Sequence, residues 1–134
     1  MNKIGVLTNE TRDKNLIYTK KIIDFLLKEE KTPLLPYKTA KALGLSEFGI
    51  SEDYIYKYSD MALVLGGDGT VLNAGRICAP YKTPVMGINL GRLGYLTAAD
   101  KAGAETALKK VFNGDFKLEK RVMLNAFLPD GKKA

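Results

Sequence analysis

The sequence predicts a three-layer α/β/α sandwich around a mainly parallel, Rossmann-like sheet, and three observations carry that prediction. Met61-Ala62-Leu63-Val64-Leu65 and Pro84-Val85-Met86-Gly87-Ile88-Asn89 are short apolar runs of the kind a strand covered on both faces requires. Stretches with helical apolar spacing alternate with short strands along the chain, the order that parallel βαβ units need. Both apolar runs end in glycine-rich segments, where such a sheet places its ligand crevice.

Taken in order, residues 4–7 form an apolar strand closed by Thr8-Asn9. Residues 14–31 have helical spacing, with Leu16, Ile23 and Leu27 along one stripe and Ile22 and Leu26 widening it. Residues 34–37 make a second strand whose flanking prolines suit a position near a sheet edge. Residues 38–43 are a helical turn stopped by Gly44, and residues 46–59 mix charge, Gly49 and three tyrosines without clear period, which predicts a mobile surface segment. Tyr54, Tyr56 and Tyr58 alternate at strand spacing and are expected to cover a sheet edge or loop. After the strand at 61–65, a helix is expected over 71–79, then the strand at 84–89, then a last helix over 101–112 that buries Ala104, Ala107, Leu108 and Val111 and turns Lys109 and Lys110 to solvent. There is no internal repeat.

Composition narrows the chemistry. The chain has 134 residues, 46% of them hydrophobic and 27% charged, and no apolar run approaching the ~18 residues of a membrane span. That composition suits a globular cytoplasmic protein with no membrane partner, and the start turns polar at Thr8-Asn9-Glu10 before a signal-peptide core forms. With no histidine, Ser-His-Asp and Cys-His pairs and every His-ligated metal site are excluded, so acid-base work falls to carboxylates, Lys or Tyr. The single Cys78 excludes an intrachain disulfide and multi-cysteine metal clusters; it reads as a small buried residue on a helix. No metal ligands are assigned. The net charge of +6 concentrates in residues 101–134, where eight basic residues face four acidic ones without interleaved aromatics, a pattern that favours acidic ligands or a solvated face over nucleic acid.

Gly66-Gly67-Asp68-Gly69-Thr70 admits two readings. It can be a strand-to-helix turn in which glycines supply positive φ and the Thr70 hydroxyl caps the helix. It can equally be an anion turn, because residues without Cβ let backbone N–H groups approach phosphate oxygens beside a helix N-terminus. It is neither a Walker A loop nor a dinucleotide G-x-G-x-x-G fingerprint. Asp68 would repel phosphate there unless it accepts a proton, binds a metal or takes the proton of an acceptor hydroxyl; alternatively it serves an Asx-turn.

That turn, with Leu72 and Ala74, followed by Gly87-Ile88-Asn89-Leu90-Gly91-Arg92-Leu93-Gly94-Tyr95-Leu96, resembles the amino-terminal domain of bacterial NAD kinases. The turn alone is shared with diacylglycerol and sphingosine lipid kinases; the second segment separates them, since the lipid-kinase Pro-Leu-Gly-Thr-Xaa-Asn-Asp pattern is missing. The resemblance implies transfer of the γ-phosphoryl of ATP, or of polyphosphate, to the 2′-hydroxyl of the adenosine ribose of NAD, giving NADP, with Mg²⁺ as divalent metal. Asp68 then matches the proton acceptor. Asp68 and Gly69 match positions that contact NAD, Gly66, Gly67 and Thr70 the phosphate-handling turn, and Leu72, Asn89, Tyr95 and Leu96 positions around the adenine end. Asn73 stands where many members carry a basic residue, and Arg76, one helical turn on, is a candidate substitute. Arg92 either meets phosphate or points outward.

The same resemblance divides the chain into an α/β nucleotide-binding domain over 1–116 and, over 117–134, the first strand of a β-rich second domain. It implies a fragment inactive alone and a dimeric or tetrameric full-length protein. A lipid-kinase domain and a non-catalytic nucleotide-binding module are the alternatives.

Overall fold

The computed structural model describes residues 1–92 and 94–132. Its elements are β1 (Lys3–Thr8), α1 (Ile17–Lys28), β2 (Thr32–Pro36), α2 (Tyr37–Ala42), β3 (Gly49–Ile50), α3 (Glu52–Tyr58), β4 (Met61–Gly66), α4 (Asp68–Cys78), β5 (Val85–Asn89), β6 (Ala99–Asp100) and α5 (Ala104–Phe112). The six strands form one sheet in the order β3-β2-β1-β4-β5-β6, and every neighbouring pair is parallel. The three-layer α/β/α architecture is thus present.

Alternation along the central strands builds the two cores. Ile4, Val6, Leu63, Leu65 and Ile88 face one side, against Ile22, Ile23 and Leu26 of α1 and Ala104 and Leu108 of α5. Leu7, Ala62 and Val64 face the other, against Ile55 and Tyr56 of α3 and Ala74 and Cys78 of α4. β4 is buried along its whole length, which is why its sequence is unbroken apolar. A Cβ on Gly5 would lie 2.6 Å from both Ile55 Cγ2 and Ser59 Oγ, and one on Gly87 2.5 Å from Val71 Cγ2, so these two glycines let α3 and α4 approach the sheet.

Several expectations are corrected. Residues 46–59 are not a surface loop: a 3₁₀ turn (Ser46–Phe48), β3 and α3 occupy them, with Ile55 and Tyr56 buried. The tyrosine alternation is therefore helical rather than strand-like. Tyr56 points into the core and donates to Glu52 Oε1 at 3.1 Å, while Tyr54 and Tyr58 stack on each other at 5.6 Å, half-exposed. On α1, Leu27 lies outside the stripe, and Tyr18, Thr19 and Phe25 join Ile22, Ile23 and Leu26 instead. Tyr37 opens α2 rather than ending β2. The last helix starts at Ala104, not residue 101, because β6 occupies Ala99–Asp100; Ala107 and Val111 are only partly buried. No strand forms over residues 117–126, which are exposed and irregular, and a single bridge position occurs at Phe127.

Candidate functional site

The site grows from the point where the strand order reverses, between β1 and β4. From β1 the chain runs outward through α1 to β2 on one side, and from β4 through α4 to β5 on the other. The carboxyl ends of β1 and β4 therefore flank a crevice, the topological switch point at which open α/β sheets bind ligands. Gly66-Gly67-Asp68-Gly69-Thr70 lies on its β4 side. A Cβ on Gly66 would meet Thr70 Oγ1 at 2.7 Å, so glycine there lets α4 turn directly off the strand. Gly67 is the N-cap, with φ −132° and ψ −168°, extended backbone open to any residue.

Positive φ consequently does not explain these glycines; the turn is glycine-rich for close approach at Gly66, and around Gly69 it leaves open space. Thr70 is not the cap either. It lies inside the first turn of α4, which begins at Asp68 rather than residue 71, and no side chain caps that helix among the described residues. Instead, Thr70 Oγ1 accepts from Asn9 Nδ2 at 3.4 Å.

Asp68 is the hub of the site. Its carboxylate accepts the backbone N–H of Leu96 (2.9 Å, on Oδ1) and that of Tyr95 (3.0 Å, on Oδ2). The Asx-turn reading is thereby corrected, because both partners come from the loop after β5 and not from the local chain. These bonds, that from Leu96 foremost, hold the Asp68 carboxyl below the ordinary carboxylate value. The loop comes so close that a Cβ on Gly94 would overlap the Asp68 carboxylate. Asn89, 3% exposed at the end of β5, fixes the start of the same loop by accepting the Gly91 N–H at 2.6 Å.

The remaining sequence candidates divide. Tyr95 engages through its backbone, while its side chain is 95% exposed; Leu96 is half-buried beside Asp68. Leu72 and Asn73 follow the turn in an exposed stretch of α4, near Val122, Met123 and Leu124. Arg76 donates from Nη2 to Asn73 Oδ1 at 3.0 Å, so these two serve each other. Arg92 is exposed. A cavity of about 270 Å³ opens between the ends of β1 and β2 and α4, lined by Glu10, Lys38, Glu52, Thr70 and Asn73 among others.

Sequence reasoning missed the loop after β1. Asn9 does two things at once: its Oδ1 accepts the Thr11 N–H at 3.1 Å and its Nδ2 reaches Thr70. Asp13, 5% exposed, accepts the N–H groups of Tyr18 and Thr19 and the Thr19 hydroxyl, at 2.6–3.0 Å, tying the loop to α1. Between these anchors Arg12 extends over the glycines: a Cβ on Gly91 would lie 3.0 Å from its Nη1, and one on Gly67 3.9 Å from its Cζ. The signal available in the sequence was the polar break Thr8-Asn9 at the carboxyl end of the first strand.

Fold and crevice together define a doubly wound α/β domain with a glycine-rich turn at its switch point. The family described as "ATP-NAD kinase N-terminal domain" matches residues 4–116. The chain belongs to that family. It is similar to the NAD kinase of Thermoanaerobacter sp. (strain X514), 42% identical over 126 residues, covering 94% of this chain and 44% of that protein. The NAD kinase of Acetivibrio thermocellus is 39% identical over 133 residues, covering 98% and 46%. The chain thus spans less than half the length of these curated relatives. Yeast NADH kinase, in a crystal structure complexed with NADH, shares the fold with a TM-score of 0.73 at 18% identity, over 86% of this chain and 39% of that one. Among the described residues, no helix is long and apolar enough to cross a membrane.

Proposed function

We propose that this domain carries the phosphate-side half of an NAD kinase, which moves the γ-phosphoryl of ATP, or a phosphoryl of polyphosphate, to the 2′-hydroxyl of the adenosine ribose of NAD. The observation that supports it best is the position of Asp68, an ionised carboxylate at the start of α4 where two glycine-rich segments meet. Phosphoryl transfer to a hydroxyl asks the protein chiefly for alignment, charge neutralisation and a proton acceptor within reach.

In this reading Asp68 orients the hydroxyl and takes its proton, and its lowered pKa keeps it anionic throughout the neutral range. Gly66, Gly67 and Thr70 serve the donor phosphates, Asp68 and Gly69 contact NAD, and Asn89, Tyr95, Leu96 and Leu72 lie toward the adenine end. Mg²⁺ is proposed to enter bound to the donor phosphates. Residues 1–116 are assigned as the nucleotide-binding domain and 117–134 as the opening of a second. The working enzyme is proposed to be a cytoplasmic homo-oligomer.

The test is NADP formation from ATP, Mg²⁺ and NAD, measured on the 134-residue chain and on the chain fused to the remaining part of the Thermoanaerobacter relative. The fusion is expected to turn over. A folded fusion, verified by circular dichroism, that makes no NADP overturns the proposal.

A further inference from the structure

We infer that Arg12 is the cation that receives the phosphoanhydride chain of the phosphoryl donor. This rests on the reading of the crevice as a phosphoryl-transfer site. A phosphoryl group developing charge needs a positive partner, and a planar guanidinium is suited to bidentate contact with phosphate oxygens. Two basic residues beside the crevice are already engaged, Arg76 of α4 with Asn73 and Lys38 of α2 with Glu10 at 3.4 Å.

Arg12 differs in three ways. Topology brings it to the switch point, from the opposite side of the crevice to the glycine turn. Its guanidinium lies over Gly67 and against Gly91, where a Cβ would come within 3.0 Å of Nη1, so the absent Gly91 side chain leaves it space. Its loop is held at both ends, by Asn9 on Thr70 and by Asp13 on α1, so the cation is presented on a fixed base. Asp13, the nearest carboxylate in sequence, spends both oxygens on α1, and among the described residues no carboxylate forms an ion pair with Arg12. The charge is therefore available to a ligand while the backbone beneath it is tethered on either side.

The experiment is calorimetric titration of the 134-residue chain with inorganic tripolyphosphate, ATP and NAD in turn. Arg12→Gln is expected to weaken tripolyphosphate and ATP alike by at least about tenfold, the equivalent of ~1.4 kcal/mol, and to leave NAD unchanged. Arg12→Lys should recover part of the loss. Lys110→Gln, which removes the same charge from the exposed face of α5, should change nothing. Gly69→Asp places a carboxylate in the turn where nothing lies within 4 Å, and should abolish binding of both phosphate chains without disturbing the fold.

If Arg12→Gln binds tripolyphosphate as the parent does while Gly69→Asp does not, the inference falls and the site stands. If neither variant changes binding, or the parent binds no tripolyphosphate, both fall. Loss confined to ATP, or to NAD, also overturns the assignment, since the contact would then not be with the donor's phosphate chain.

Discussion

Two loops meet at the start of α4, and they hold their charges in opposite ways. The loop after β1 is anchored by its own side chains, Asn9 reaching to Thr70 and Asp13 to α1, so Arg12 is left without an ion-pair partner among the described residues. The loop after β5 is anchored by the carboxylate of Asp68, which spends an acceptor on each of two backbone N–H groups. One charge at the crevice is thus open to a ligand and the other is already engaged. An acceptor hydroxyl must share Asp68 with the loop or displace it, so catalysis and loop order are coupled through one side chain.

The coupling is broken most directly by Asp68→Asn. In the fusion with the Thermoanaerobacter remainder, NADP formation should fall by at least about a hundredfold in kcat, the range for loss of a proton acceptor; a fall below tenfold removes Asp68 from that role. In the same variant, hydrogen exchange at Tyr95 and Leu96 should quicken while the loop after β1 keeps its protection.

Gly94→Ala attacks the clasp from the other side. Its Cβ would overlap the Asp68 carboxylate, forcing the loop outward at a cost of about 1–3 kcal/mol of stability. Denaturant unfolding measures that cost, and an unchanged midpoint would mean the loop yields freely. On the β1 side, Asn9→Ala removes one side-chain bond to Thr70 and one within the loop, and should cost about 0.5–1.5 kcal/mol by the same measurement. It should also weaken tripolyphosphate less than Arg12→Gln does, because it loosens the base of the cation and leaves the charge.

The legibility of the molecule follows the same division between what a segment does alone and what topology brings to it. β4 and β5 could be read because burial on both faces demands apolar residues without interruption. Residues 46–59 could not. α3 has seven residues and buries only Ile55 and Tyr56, too little for a helical period to emerge, and β3 has two. Gly-Gly-Asp-Gly-Thr was visible as a motif, but its reasons were not. The partners of Asp68 are backbone N–H groups 27 and 28 residues away, which leave no trace in residue type. Arg12 reads as one more surface cation until the sheet order places β1 beside β4.

The smallest effect expected is the dependence of the clasp on pH. Asp68 has a counterpart at the opposite end of the sheet, where Asp60 accepts the N–H groups of Asn2 and Lys3 at 2.7 and 2.9 Å. Both carboxyls lie below their ordinary value, through the Leu96 and Tyr95 bonds in one case and the Asn2 and Lys3 bonds in the other. A carboxyl depressed in the folded state contributes stability that is complete above its unfolded pKa and lost as pH falls through the folded one. Each clasp should therefore be intact at neutral pH and open only in acid, below the ordinary carboxylate range. Solvent screening keeps the gain small at such exposed groups. Amide proton shifts followed from pH 6 downward, about the span in which carboxyls titrate, should move together at Tyr95 and Leu96 and, separately, at Asn2 and Lys3. Asp68→Asn should abolish the first transition and spare the second. A Tyr95 and Leu96 transition at the ordinary carboxylate value would show that the β5 loop does not depend on Asp68, leaving that carboxylate as open to a ligand as Arg12.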